Sequence, residues 1–255
     1  MDAKKYSLMR ERLSGFLGKG LIKKEDSLLA VAAGRHDKET LDALGFKNRT
    51  LTSIAEDGGL GILKEDAQRL SYPDNSFDNV MVHAGLHHCS SPHRALCEMY
   101  RVARKNVIVF EAQDSFFTRT LGRLGLLEDY ELDAVYLNRM ERGGVDDRPI
   151  PNYVYRWTKR EVEKVVRAYD PLTRPEIIFI SGFYFDLSHL DGFLKGHLLA
   201  RVFGKGFLKY AGPGVACLLN LFFRRYGNSL TFVIRKRGLL NPWIKKTENG
   251  HEVKR

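Results

Sequence analysis

Paired cysteines are missing from this sequence of 255 residues. Its three cysteines, Cys89, Cys97 and Cys217, form no even framework and no Cys-x-x-Cys motif, which argues against a disulfide-stapled secreted domain and for a reducing compartment. Also missing is an apolar run of the about 20 residues that a membrane span needs. The longest candidate, residues 211–223, is interrupted by Gly212, Pro213 and Gly214. The opening Met-Asp-Ala-Lys-Lys-Tyr has charge but no apolar signal core behind it, so a cytoplasmic chain is expected. Internal repeats, low-complexity tracts and dividing linkers are absent as well, and residues 1–255 are expected to form a single domain.

What is present suits a globular enzyme. Hydrophobic residues make up 44% of the chain, enough for a sizeable core. The 41 basic residues against 31 acidic give a net charge of +10, which favours an acidic partner such as nucleic acid, anionic lipid or a phosphorylated substrate. The charge is scattered over most predicted helices, however, so a solvated surface accounts for it equally well.

Residues 1–25 carry Leu8, Leu13, Phe16, Leu17, Leu21 and Ile22 at near-helical spacing, punctuated by glycine, and predict a helical lead-in. From residue 27 onward, strand and helix alternate. Apolar runs at Ser27–Ala33, Thr50–Ala55, Phe77–His83 and Asn106–Glu111 predict strands. A helix capped by Asp37 and ending at Gly45, and another from Pro92 to Arg104, predict the crossovers of a parallel sheet covered on both faces. Ser115 to Met140 reads as broken helix, and Glu141–Pro149 as a polar loop. Thr158 and Glu161 have capping-box spacing ahead of Val162, Val165, Val166 and Tyr169. Strands at Glu176–Ile180 and Leu230–Ile234 close the fold, with a helical insertion between them.

Open parallel sheets bind ligands beyond the carboxyl ends of their strands. The residues there are Ala32, Ala33 and Gly34, then Glu56, Asp66 and Ala67, then His83 to His88, then Glu111. Glu56 could accept hydrogen bonds from two ribose hydroxyls, and Asp66 one from the exocyclic amine of adenine, with small Ala67 leaving room for the ring. The stretch Glu65–Asp78 contains Asp66-Ala67-Gln68-Arg69-Leu70-Ser71-Tyr72-Pro73-Asp74-Asn75-Ser76-Phe77-Asp78, and Leu86-His87-His88 follows the next strand. With these features the sequence resembles the class I S-adenosylmethionine-dependent methyltransferases, in the subgroup whose loop reads roughly Asp-Ala-x-x-Leu-Pro-Phe-x-Asp-x-Ser-Phe-Asp. The resemblance covers about residues 27–115, the expected cofactor-binding half.

It implies a Rossmann-like methyltransferase fold of the α/β class, a mixed seven-stranded sheet flanked by helices. It also implies S-adenosylmethionine as cofactor, held by Asp66 with Ala67, by Glu56 at the ribose, and by His83, Ala84 and Gly85 beside the methionine portion. The first loop departs from the family. Ala30-Val31-Ala32-Ala33-Gly34-Arg35-His36 keeps one glycine of Gly-x-Gly-x-Gly and lacks the acidic strand residue, which adds bulk where a cofactor passes close to backbone. Nicotinamide and flavin dinucleotides are disfavoured, because Gly34-Arg35-His36-Asp37 is not the Gly-x-Gly-x-x-Gly their pyrophosphate needs.

His87 and His88 are the candidate bases, since imidazole titrates near neutrality; Glu111 and Asp114 are alternatives. The spacing of His83, His87, His88, Cys89 and His93 matches no standard zinc motif, and no metal site is expected. Segments 115–157 and 187–226 are expected to cover the acceptor side, for O-methylation of a small-molecule or a glycan- or carrier-linked acceptor. The basic, apolar 187–226 segment also suits peripheral contact with an anionic membrane. Tyr153–Trp157 reads as core and pocket wall, and no nucleic acid is expected. The competing reading is a non-catalytic or membrane-surface binding protein on a degenerate version of this fold.

Overall fold

The computed structural model describes residues 7–55, 59–125, 127–184, 214, 217–248 and 250–254. Its sheet is organised around the most apolar run. β1 (Leu28–Val31) is buried at all its positions, as a strand with parallel neighbours and both faces covered must be. It pairs in parallel with β2 (Arg49–Ser53) and β4 (Phe77–His83). β3 (Leu63–Lys64) continues the sheet beyond β2, and β5 (Ala103–Ala112) beyond β4, again in parallel. The other edge reverses. β7 (Ser229–Arg235) is antiparallel to β5 and to the edge strand β6 (Glu176–Gly182), giving the order β3-β2-β1-β4-β5-β7-β6. This is the mixed seven-stranded sheet expected; β8 (Ile244–Thr247) and β9 (Gly250–Val253) add a separate hairpin that was not.

Alternation along each strand divides the core between two faces. Leu29, Val31, Val80, Val82, Val107 and Val109 pack with Leu96 and Met99 of α3 (Pro92–Val102) and with Val162 and Val166 of α6 (Lys159–Tyr169). Leu28, Ala30, Met81 and Ile108 pack with Leu13 and Phe16 of α1 (Ser7–Gly18) and Leu41 of α2 (Arg35–Leu44). The capping box forms as predicted: Glu161 N donates to Thr158 Oγ1 at 3.1 Å and Thr158 N to Glu161 Oε2 at 3.3 Å. Gly45, left-handed at φ 82°, closes α2.

The segment expected to be broken helix contains α4 (Phe116–Arg123) and α5 (Leu132–Tyr136). Most of the expected insertion at 187–226 lies outside the described residues. Its described end is helical over 217–223 and passes through a 3-10 turn, Arg224–Tyr226, into β7.

The end of the sheet opposite the expected site is tied by charge. Asp26, 8% exposed, accepts hydrogen bonds from Lys23 N and Asn79 Nδ2, each at 3.0 Å, and from Lys105 Nζ at 2.7 Å. Asp78 accepts from Ser27 N at 3.0 Å and lies 3.2 Å from the same ammonium. Burial opposes ionisation of both acids. Lys105 and the surrounding donors outweigh it and hold both carboxyls below the usual aspartate value. A depressed folded pKa contributes stability above the unfolded value, about 3.9, and that contribution is lost as pH falls through the folded one. Asp26→Asn should therefore be less stable near neutrality and lose less stability on acidification. Urea unfolding at a series of pH values checks this; wild-type and variant curves that stay parallel would remove the ion cluster from the account.

Candidate functional site

Two alanines mark where the chain leaves the sheet. Ala32 after β1 and Ala84 after β4 both adopt φ +49°, a left-handed conformation uncommon for residues with a Cβ. Next to Ala84, Gly85 touches the first loop. A Cβ built on Gly85 would stand 2.6 Å from Ala32 Cβ and 3.0 Å from Val82 Cγ2, so lack of a side chain allows the loops to meet. Ala33 is buried, and its N–H donates to Thr52 O at 2.8 Å, fixing the first loop to β2. Gly34 caps α2 and donates to Asp37 Oδ2 at 2.8 Å. Asp37 thus lies inside the first turn of the helix rather than at its N-cap.

The Asp66 loop folds onto this junction. Asp66 Oδ1 accepts from Gln68 N at 2.8 Å, a turn that aspartate stabilises through its own side chain, and Ala67 is buried. Ala32, Gly85, Asp66, Ala67, Ile54 and His88 line a common pocket, together with Glu65, Gln68 and Cys89. Glu56, the expected ribose partner, lies outside the described residues. Ala33, Gly34, His83 and Ala84 adjoin the pocket in sequence without lining it.

The pocket measures only about 40 Å³. Ligand sites usually need about 300 Å³ or more. Asp146 and Asp147, from the 3-10 turn Val145–Asp147 of the expected polar loop, contribute to the pocket wall. Asp146 Oδ1 accepts from Gln68 Nε2 and from Ser90 N, both at 2.9 Å, and Arg148 contacts its other oxygen at 2.7 Å. Asp146 and Asp147 are both left-handed, at φ 51° and 57°. No local motif announces that this loop meets Gln68 and Ser90.

Beside the pocket is a cluster of histidines and glutamates. Glu111, 6% exposed near the end of β5, accepts from Leu86 N at 2.7 Å and contacts His87 Nδ1 at 2.8 Å. On the other side of the imidazoles, Glu131 Oε2 lies 3.5 Å from His87 Nε2 and 3.4 Å from His88 Nε2. Asn152 Nδ2 donates to the same oxygen at 3.2 Å. Burial opposes charge on His87, but Glu111 and Glu131 raise its pKa to about 10. His88 is pushed the other way, by burial and then by the neighbouring His87. Glu131 accepts the His87 hydrogen bond against its own burial, and its pKa falls to about 2.

The remaining thiol and histidines do not join this cluster. Burial, followed by Asp66, Asp146 and Glu111, pushes the Cys89 thiol up to about 12, so it is no thiolate at neutral pH. His83 Nδ1 faces Asp37 Oδ1 at 3.4 Å, and His93 Nε2 lies 2.8 Å from Glu161 Oε1. His87 and His88 are thus brought together, while Glu131 was absent from the candidates. A cleft of about 590 Å³ opens nearby in sequence, between Asp114, Arg119 and Arg123 on one side and Tyr153, Tyr155 and Arg156 on the other.

Residues 37–110 match the family model described as a methyltransferase domain, beginning just beyond the unusual Ala30–His36 loop. None of the curated proteins matches the chain. Among solved structures, one from Bacillus halodurans C-125, provisionally named a methyltransferase, is 15% identical with a TM-score of 0.50, over 89% of this chain and 99% of that one. An S-adenosylmethionine-dependent methyltransferase from Thermotoga maritima is 14% identical with a TM-score of 0.49, over 92% and 94%. Phosphoethanolamine N-methyltransferase 2 from Haemonchus contortus, solved with S-adenosyl-L-methionine, is 13% identical with a TM-score of 0.46, over 89% of this chain and 52% of that one. At such identities the likeness is one of fold. The likeness to the Bacillus halodurans structure, together with the strand order, gives this chain the Rossmann-like methyltransferase fold.

Proposed function

We propose that this chain is an S-adenosylmethionine-dependent methyltransferase that methylates an oxygen of a small-molecule or a glycan- or carrier-linked acceptor. The observation that carries the reading is the pocket at the carboxyl ends of β1 and β4, where the Asp66 carboxylate and buried Ala67 adjoin the contact between Ala32 and Gly85. It lies largely within the residues that match a methyltransferase domain.

The residues fit the cofactor chemically. Asp66 offers an acceptor to an adenine amine, and Ala67 leaves space for the ring. Asp37 Oδ1 is buried with only the 3.4 Å approach of His83 Nδ1, which leaves it able to accept from a ligand near the first loop. Glu56 is the proposed ribose partner. Bound S-adenosylmethionine supplies a methyl group on sulfonium. The chain's own work is to orient the acceptor and deal with its proton; of the two candidate bases, His88, whose neutral form is favoured by burial and by the neighbouring His87, is the one able to accept it. The wider cleft, lined by Arg119 and Arg156 paired with Asp114 and Asp129 and by Arg123, Tyr153 and Tyr155, suits an acceptor rich in hydroxyls.

Calorimetric titration with S-adenosylmethionine and S-adenosylhomocysteine tests this reading. Both should bind the wild type, and Asp66→Ala should weaken each about 10-fold, the size of one hydrogen bond to a charged group. Absence of binding to the wild type would overturn it.

One observation favours an additional property, peripheral contact with anionic lipid. Leu221, Phe222 and Phe223 are 72%, 71% and 53% exposed, and Arg224 and Arg225 follow directly. No described helix is long and apolar enough to cross a membrane. Apolar side chains beside cations suit the surface of an anionic bilayer. Salt-sensitive sedimentation with anionic vesicles is expected, and its absence would exclude the contact.

A further inference from the structure

We propose that His87, His88 and Glu131 are the protein ligands of a divalent first-row transition metal, with Zn²⁺ the best fit, whose open position takes the acceptor oxygen. The use of that open position rests on the methyl-transfer reading. The metal site itself does not.

The geometry points to a metal first through its spacing. With bonds of about 2.0–2.1 Å, two ligand atoms on a zinc tetrahedron stand about 3.3–3.5 Å apart. Glu131 Oε2 is 3.5 Å from His87 Nε2 and 3.4 Å from His88 Nε2. All three residues offer ligand atoms within 4.8 Å of one another. The two Glu131 separations are long for a hydrogen bond and match two edges of a coordination polyhedron.

The second indication is that each ligand has a partner behind it. A metal-bound imidazole usually donates its other ring N–H to a carboxylate or carbonyl, which fixes its tautomer and orientation. Buried Glu111 contacts His87 Nδ1 at 2.8 Å and is itself held by Leu86 N. The Gly144 backbone is a hydrogen-bond partner of His88, and Asn152 donates to Glu131.

The donor set selects among cations. Two imidazoles and one carboxylate suit zinc and its neighbours, whereas Mg²⁺ prefers an octahedron of oxygens. Two carboxylates, Glu131 on the ion and Glu111 behind it, balance a charge of +2. Three protein ligands leave a fourth position free, the arrangement of catalytic rather than structural zinc. Glu131 retains access to solvent, with 39% of its side chain exposed, and His88 lines the cofactor pocket. A hydroxyl bound there would lose its proton more readily, to solvent water that reaches the site past Glu131, so the histidines would assist deprotonation through the ion they hold.

The test is direct metal binding. Chelator-treated protein, with no cofactor added, is titrated calorimetrically with Zn²⁺ and with Mg²⁺, and Co²⁺ loading is followed by its ligand-field absorption. One Zn²⁺ per chain, a four-coordinate Co²⁺ spectrum and no Mg²⁺ binding are expected. His88→Gln and Glu131→Gln should each lower zinc affinity at least 10-fold. Glu111→Gln should lower it about 10–100-fold at unchanged stoichiometry, as loss of an outer partner does. Far-UV circular dichroism shows that each variant is folded, and the wild-type stoichiometry needs no variant. Absence of zinc binding by the wild type overturns the proposal, as does an affinity unchanged in His88→Gln and Glu131→Gln. Zinc bound by a protein that binds no S-adenosylmethionine supports the site and overturns its proposed use. S-adenosylmethionine bound by a protein that binds no zinc overturns the site and leaves His88 as the free base.

Discussion

Trp157→Ala is expected to lower the unfolding free energy by about 3–5 kcal/mol, the usual cost of truncating a large buried aromatic. Trp157 is fully buried, with ring centroids 6.0 Å from Phe232 and 5.3 Å from both His93 and Tyr155. Its backbone also straps the end of β5: Trp157 N donates to Ala112 O, and Asp114 N to Trp157 O, each at 2.9 Å. The substitution would leave a cavity bordered by β7 and by the loop that enters α6. Trp157→Phe should retain a substantial part of the packing and lose less. Urea unfolding by circular dichroism measures both. A loss within about 0.5 kcal/mol for the alanine variant, the range of ordinary surface changes, would refute the packing described.

The second large effect is expected at Gly85. The Cβ of Gly85→Ala would meet Ala32 Cβ at 2.6 Å, and an alanine Cβ can move only with its backbone. The variant should therefore displace the first loop at an overpacking cost of about 1–3 kcal/mol. If that cost falls on the bound conformation, S-adenosylmethionine affinity drops about 10–100-fold. The contact also predicts its own rescue. Ala32→Gly removes the opposing Cβ and relieves the left-handed φ of +49°, so the double variant Ala32→Gly/Gly85→Ala should recover most of the affinity. A double-mutant cycle by calorimetry measures the coupling. Additive losses would show that the two residues do not meet in the binding-competent protein.

Most of the sheet was legible because its strands are apolar in a way that burial requires. β1, β4, β5, β6 and β7 follow runs of valine, leucine, isoleucine and phenylalanine, and the Thr158–Glu161 cap carries its own hydrogen-bonding logic. β3 was not legible, since its two residues are exposed and have no periodicity to display. The β8–β9 hairpin was missed for a related reason: Ile244-Lys245-Lys246-Thr247 presents one buried apolar residue. Asp37 gave the right helix but the wrong register, because a carboxylate that accepts from Gly34 N serves the helix start from inside its first turn.

Local motifs pointed to Asp66, Ala67, Gly85 and His88, which line one pocket, and to His87 beside it. Glu131 and Asn152 could not be found in this way. Their partners are distant in sequence, and only the path of the chain after β5 brings both to the imidazoles. Asp146 is similar: a glycine-flanked polar stretch announces a loop, while the donors it meets on Gln68 and Ser90 belong to other segments.

The Val145–Asp147 turn would make the proposed occupancy of the Asp66 pocket a competition. An adenosyl ligand bound there as proposed would displace the hydrogen bonds that Asp146 accepts from Gln68 and Ser90, and its measured Kd would be the intrinsic value divided by the fraction of molecules in which the turn has withdrawn. The same turn reaches His88 through the Gly144 backbone. Two ligands that both require its withdrawal would each reduce the conformational cost of admitting the other, and by linkage the gain is equal in both directions.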